Sequence, residues 1–185
     1  YAGVIAVPAY PPESARQHHQ ARLLSIIADA EPSLLLTVAA LHDNLNGLEA
    51  LAADNAPELL AVDGLDPLLA SSWHAPELQR DDIAFLQYTS GSTALPKGVQ
   101  VSHGNLVANE QLIRQGFGID LNPDDVIVSW LPLYHDMGLI GGLLQPIFSG
   151  VPCVLMSPGY FLARPLRWLQ ACLLYTSDAA DDSLR

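Results

Sequence analysis

The chain has 185 residues, half of them apolar, with 20 acidic and 8 basic side chains and a net charge of −12 at pH 7. That is enough apolar material for one ordinary domain with its own core. The acidic balance argues against nucleic acid and anionic lipid as partners, since both reward basic patches; no apolar run approaches the about 18 residues of a membrane span. Two lone cysteines, Cys153 and Cys172, suit a reducing cytoplasm better than a disulfide framework.

Strand-like apolar runs alternate with helix-like segments, the pattern of an α/β fold with a largely parallel sheet and helices on both faces. Ala2 to Val7 reads as a strand ended by Pro8 and the Tyr10-Pro11-Pro12 turn. Glu13 to Ala30 reads as a helix with Leu23, Ile27 and Ala30 on one face. Leu34 to Val38 reads as a short buried strand, His42 to Ala53 as a short helix, and Leu59 to Val62 as a strand within a mixed connection rich in Pro, Asp and Ala. His18-His19 sits on a polar helix face and reads as solvated, because a metal there wants i, i+4 spacing.

The run Ile83 to Tyr88 reads as a buried strand, and the segment that follows is the most informative in the chain. Tyr88 to Val99, YTSGSTALPKGV, carries four hydroxyls (Thr89, Ser90, Ser92, Thr93), two glycines (Gly91, Gly98) and Lys97. Glycine allows positive φ and close approach of the backbone to an anion. Successive amides can then converge into an anion-binding nest, to which a lysine adds a point charge. An ordinary polar turn uses the same small residues, but the lysine favours phosphate binding. A Walker loop is a poor fit: that motif needs Gly-Lys followed by Ser or Thr, whereas here Lys97 precedes Gly98 and Val99 follows.

Beyond the loop, Val99 to Val101 reads as a short strand, and Ser102 as the N-cap of a helix ending near Gly116. Asp125 to Trp130 reads as a strand, and Asp136 to Phe148 as a helix weakened by Gly138, Gly141 and Gly142, which also permit close packing. Val151 to Met156 reads as a strand holding Cys153 as a core thiol, and Ala163 to Ala171 as a helix. No Cys/His cluster has zinc spacing, and no G-x-S-x-G elbow supports Ser/His/Asp hydrolysis.

The loop resembles the signature of the adenylate-forming enzymes: acyl-CoA synthetases, luciferases and peptide-synthetase adenylation domains. Three further segments resemble the fatty acyl-AMP ligase branch. They are YAGVIAVPAYPP at Tyr1 to Pro12, WLPLYHDMGLIGGLLQ at Trp130 to Gln145, and the stretch Pro146 to Leu169 with its LMSP and FLARPLRWL. The resemblance covers residues 1–171. It implies a partial AMP-binding domain from the large N-terminal domain of a much longer enzyme, in keeping with a start at Tyr1 inside an apolar run. Residues 172–185 depart from the family and look like translated sequencing-adaptor sequence, a non-native tail.

The resemblance further implies ATP-dependent activation of a fatty acid as acyl-adenylate, with pyrophosphate released and the acyl group passed to an acyl carrier protein or polyketide synthase. Thr89, Ser90, Gly91, Ser92, Thr93 and Lys97 would then hold the β- and γ-phosphates, with Gly98 giving backbone clearance. His135 would steady developing negative charge, and Asp136 is equally suited to capping a helix. Met137, Leu139, Ile140, Leu143 and Leu144 suit either an acyl tunnel or plain core. Mg²⁺ is expected with ATP, its carboxylate ligand lying beyond residue 171. The adenine-binding motif, the ribose-binding aspartate and the lysine of the small C-terminal domain are absent, so the isolated 185 residues are expected to form no acyl-AMP. An acyl-CoA ligase or a peptide-synthetase adenylation domain is the alternative within the superfamily. A non-catalytic nucleotide-binding or interaction module is the alternative outside it.

Overall fold

The computed structural model describes residues 2–10, 17–46, 48, 51, 56–89, 97–119 and 124–176. The expected tail from 177 onward, the start of the first expected helix at 13–16 and most of 47–55 lie outside these. The fold is α/β. Two compact units divide the chain: one takes residues 1–79 and 84–100, the other 80–83 and 101–185.

In the first unit, helix α1 (Gln17–Ala30) is followed by β1 (Leu34–Thr37), α2 (Ala39–Asn46) and β2 (Glu58–Ala61). β1 and β2 pair in parallel, Leu34 opposite Glu58 through Thr37 opposite Ala61, and α2 is the crossover that parallel pairing requires. Leu23, Leu45 and Leu48 form the buried cluster over this pair, with Leu24, Ile27, Leu35 and Leu59 packed against it. α1 ends at Glu31, whose φ of 44° is a left-handed cap on a residue that is not glycine, with its N–H bonded to the Ile27 carbonyl. The connection after β2 holds two 3₁₀ turns, Val62–Gly64 and Pro67–Ser72. β3 (Ile83–Thr89) and β4 (Lys97–Ser102) form a two-stranded sheet.

The strand expected over Ala2 to Val7 is reduced to a single bridge. Ala6 pairs in parallel with Phe85, its N–H on the Ala84 carbonyl and its carbonyl accepting from Leu86. Gly3 turns the chain at a φ of 69°, which takes Val4 and Ile5 out into solvent instead of along the sheet.

In the second unit, Ser102 caps α3 (His103–Phe117) through a reciprocal box. Its hydroxyl accepts from the Asn105 N–H at 3.1 Å and its own N–H donates to the Asn105 side chain at 3.1 Å. The helix stops one residue past Phe117 at Gly118, in the left-handed region, rather than at Gly116. β5 (Ile127–Ser129) and β6 (Cys153–Leu155) pair in parallel, and α5 (Pro158–Ala163) and α6 (Leu166–Thr176) follow. Two helices thus stand where one was expected, because Pro165 breaks the run.

The single α-helix expected over Asp136 to Phe148 is replaced by a π-helical segment, Met137–Leu144, and a short α4, Gln145–Ser149. Two features account for this. Glycines at 138, 141 and 142 lower the resistance of the backbone to the wider coil. Pro146 has no N–H to return to the Gly142 carbonyl, and the Cys153 thiol donates to that oxygen instead, at 3.2 Å. Close packing at these glycines is real. A Cβ on Gly138 would run into the Pro132 carbonyl, and one on Gly142 would lie 2.7 Å from the Ser129 hydroxyl, while Gly141 faces open space.

Between α3 and α4 sits a buried polar group. Glu110 is 3% exposed and Gln145 is fully buried. With its amide turned to suit its neighbours, Gln145 donates to the Glu110 carboxyl and main-chain carbonyl and accepts from the Ser149 hydroxyl. The second carboxyl oxygen of Glu110 has no partner, and burial pushes the acid up to about 7.

Two outcomes follow from this packing. Gly138→Ala is expected to cost about 1–3 kcal/mol by denaturant unfolding through overpacking, whereas Gly141→Ala leaves stability unchanged or slightly raised. Glu110 binds its proton more tightly folded than unfolded. Its contribution is therefore complete below the unfolded value of about 4.5 and lost as pH rises to about 7. Glu110→Gln should flatten the fall in stability between those two values, measured as melting temperature against pH.

Candidate functional site

The candidate phosphate loop belongs to the first unit and is bounded by Thr89, the last residue of β3, and Lys97, the first of β4. Ser90, Gly91, Ser92 and Thr93 lie outside the described residues, so the stem that carries them is what the structure defines. Inside its mouth stands Tyr88, 5% exposed. Gly98 lies flat against its ring: a Cβ there would sit 3.0 Å from Cζ and 3.1 Å from the hydroxyl. The clearance assigned to Gly98 is thus toward a tyrosine of its own sheet.

Tyr88 is itself held from α1. Its hydroxyl donates to Asp29 Oδ2 at 2.5 Å, and its main-chain carbonyl accepts from Arg22 Nη2 at 3.3 Å. Burial first, then the Asp29 carboxylate that accepts from it, pushes the phenol up to about 12, so it remains a donor throughout the working range. Lys97 and Thr89 are exposed, and among the described residues no carboxylate pairs with the Lys97 ammonium. The stem therefore delivers a hydroxyl and an uncommitted cation to the two ends of the loop.

His135 and Asp136 belong to the second unit, on the turn between β5 and the π-helical segment. Four contacts fix this turn. The Leu131 N–H donates to the Ser129 hydroxyl at 3.3 Å. The His135 N–H donates to the Pro132 carbonyl at 3.1 Å, and the His135 carbonyl accepts from Leu139 at 2.9 Å. Gly138 packs directly on Pro132. Upstream, Trp130 stacks on Phe161 at 3.9 Å between ring centroids, Phe161 meets Trp168 edge-on at 6.4 Å, and the Trp168 indole donates to the Val128 carbonyl at 3.1 Å.

The imidazole is 61% exposed, with Nδ1 2.5 Å from Asp136 Oδ1. The same carboxyl oxygen accepts from the Met137 N–H at 2.7 Å, so Asp136 does cap the segment that follows it. His135 Nδ1 thus lies against both Asp136 Oδ1 and the Met137 N–H, the latter at 3.4 Å. Of the apolar residues that follow, Met137 is exposed while Leu139, Ile140, Leu143 and Leu144 are half-buried. Among the described residues no group of three or more His, Cys, Asp and Glu could hold a metal ion, and no helix is long and apolar enough to cross a membrane.

Sequence reasoning missed Arg22 and Asp29. Their signal was present: residues 22, 26 and 29 share one helix face, and Ile26 between the two polar groups is buried.

Residues 1–175 match the family model described as AMP-binding enzyme. The chain is 38% identical over 178 residues to the medium-chain-fatty-acid–[acyl-carrier-protein] ligase JamA of Moorena producens, covering 95% of this chain and 30% of that protein. It is 40% identical over 174 residues to a 4-hydroxyphenylalkanoate adenylyltransferase of Mycobacterium tuberculosis, covering 91% of this chain and 28% of that one. Among solved structures it is similar to a fatty acyl-adenylate ligase from L. pneumophila in complex with acyl adenylate and pyrophosphate. That likeness has a TM-score of 0.81 and 40% identity, over 95% of this chain and 30% of that one. The chain thus spans about 30% of the length of relatives such as JamA.

Replacing Gly98 with alanine drives a methyl group against a ring that Asp29 holds in place. The expected cost is about 1–3 kcal/mol by denaturant unfolding, at an unchanged dependence on denaturant.

Proposed function

The chain belongs to the AMP-binding enzyme family, and on that footing we propose that the protein carrying it is a fatty acyl-AMP ligase. The fatty-acid carboxylate oxygen attacks the α-phosphorus of ATP, the bond from that phosphorus to the bridging oxygen of the β-phosphate breaks, and pyrophosphate leaves with the electron pair. The thiol sulfur of an acyl carrier protein or polyketide synthase then attacks the acyl carbon of the adenylate. The bond from that carbon to the phosphate oxygen breaks, and AMP and the thiol proton are released. Support comes from the relatives: JamA is named for fatty-acid transfer to a carrier protein, and the L. pneumophila ligase was solved with acyl adenylate and pyrophosphate.

The reaction asks little covalent work of the protein; placing the reactants and stabilising charge dominate. Lys97 at the start of β4, with Thr89, Ser90, Gly91, Ser92 and Thr93, is assigned to the β- and γ-phosphates that leave together. Gly98 keeps β4 close to Tyr88. His135 is assigned to the charge that develops near the α-phosphate, with Asp136 against its Nδ1. Mg²⁺ would neutralise part of the triphosphate charge when bound; its ligand is assigned outside residues 1–171. The cytoplasm is the proposed compartment, in keeping with a sequence that carries only two cysteines, Cys153 and Cys172.

The observation that carries this reading is the exposed Lys97, with no carboxylate partner among the described residues, at the end of a Ser/Thr/Gly-rich segment in a chain of this family. Lys97→Ala in the full-length protein should lower fatty-acid-dependent pyrophosphate release about 100-fold, in line with the loss of one preorganised charge-stabilising donor. Retention of full activity in that variant removes Lys97 from the site. Formation of acyl-CoA from the acyl-adenylate and CoA, with no transfer to a carrier protein, would replace this branch with an acyl-CoA ligase.

A further inference from the structure

One grip in the first unit is not explained by burial alone. Tyr88 is taken at both of its ends by a single helix: Arg22 Nη2 meets its carbonyl at 3.3 Å and Asp29 Oδ2 its hydroxyl at 2.5 Å. The two residues are seven apart in α1, two helical turns on one face. Seven residues rise roughly 10 Å, which is comparable to the reach from a tyrosine carbonyl to its phenolic oxygen. Ile26 fills the face between them and is buried. A phenylalanine at position 88 would bury the same ring. What the hydroxyl and the carbonyl contact add is direction, because hydrogen bonds fix where the ring lies along and across α1. Gly98 then lies close against that ring, where a Cβ would sit a tight 3.0 Å from Cζ, and Lys97 precedes it by one residue.

We propose that Arg22 and Asp29 are positioning residues for nucleotide binding: α1 sets Tyr88, and Tyr88 sets the point at which Lys97 enters β4. The inference rests on the reading of Lys97 as a phosphate ligand and deepens it by naming what aims that lysine. The phenol keeps its proton across the working range, so the grip does not switch off as pH rises.

The test measures equilibrium ATP binding without fatty acid, and then KM for ATP and for fatty acid, in the full-length protein. Tyr88→Phe and Asp29→Leu should each weaken ATP binding and raise KM for ATP about tenfold, the size of one good hydrogen bond. KM for fatty acid should stay within about twofold. Asp29→Asn, whose amide oxygen still accepts from the phenol, should restore ATP binding. The double variant Tyr88→Phe with Asp29→Leu should be no worse than the poorer single one. Unchanged ATP affinity in Tyr88→Phe and Asp29→Leu overturns the proposal. So does an Asp29→Asn variant as damaged as Asp29→Leu, or a parallel loss of affinity for both substrates that tracks the melting temperature. A wild-type protein that binds ATP yet releases no pyrophosphate with fatty acid overturns the ligase reading while leaving this test intact. Failure of the wild type to bind ATP overturns both.

Discussion

The bond from the Tyr88 hydroxyl to Asp29 ties α1 to the hairpin from which the candidate phosphate loop is hung. A loop meant to enclose a polyanion needs backbone freedom where it meets the ligand and a fixed origin where it leaves the sheet. The sequence supplies the freedom with Gly91 and several small hydroxyl residues. The origin is supplied by a buried tyrosine, a glycine that lies against its ring, and two polar residues on one helix face. None of these four residues bears the charge assigned to the phosphates. They decide where Lys97 begins.

The second unit uses a different constraint, close approach of backbone to backbone. Gly138 lies on the Pro132 carbonyl and Gly142 against the Ser129 hydroxyl, so the π-helical segment sits directly on the turn that presents His135. Pro146 brings no N–H to that coil, and Cys153, from the neighbouring strand β6, donates to the Gly142 carbonyl within it. The thiol that reads from sequence as core filling is therefore also a hydrogen-bond donor, half-buried, and burial holds it protonated. The unusual coil and the strand pair beneath it are one piece of packing. Asp136 links that packing to chemistry, since the same carboxyl oxygen accepts from the Met137 N–H and orients the His135 ring.

Much of the element order was legible because the signals are local. Strands β1, β2, β3, β5 and β6 coincide with apolar runs, and the Ser102 cap is a side-chain choice that acts within four residues. What escaped depends on contacts between segments distant in sequence. Ala2 to Val7 has the composition of a strand, but Gly3 turns it so that Ala6 alone bridges to Phe85. From sequence the glycines at 138, 141 and 142 read as weak points of an α-helix. Their actual consequence, a wider coil, depends on Pro146 downstream and Cys153 opposite. Asp29 and Arg22 look like ordinary surface charges until β3 is laid beside α1. The hydroxyls at 90, 92 and 93 and the lysine at 97 can be read as a group because they stand in one short segment; Arg22 and Asp29, which hold Tyr88, lie more than 50 positions from it.

The most direct test of the central claim is a crystal structure of the full-length protein with a non-hydrolysable ATP analogue. The account predicts the Lys97 ammonium at about 3 Å from an oxygen of the β- or γ-phosphate, with Tyr88 still bonded to Asp29. A triphosphate bound away from residues 89–98, or a Lys97 paired with a carboxylate while the nucleotide is present, would contradict it.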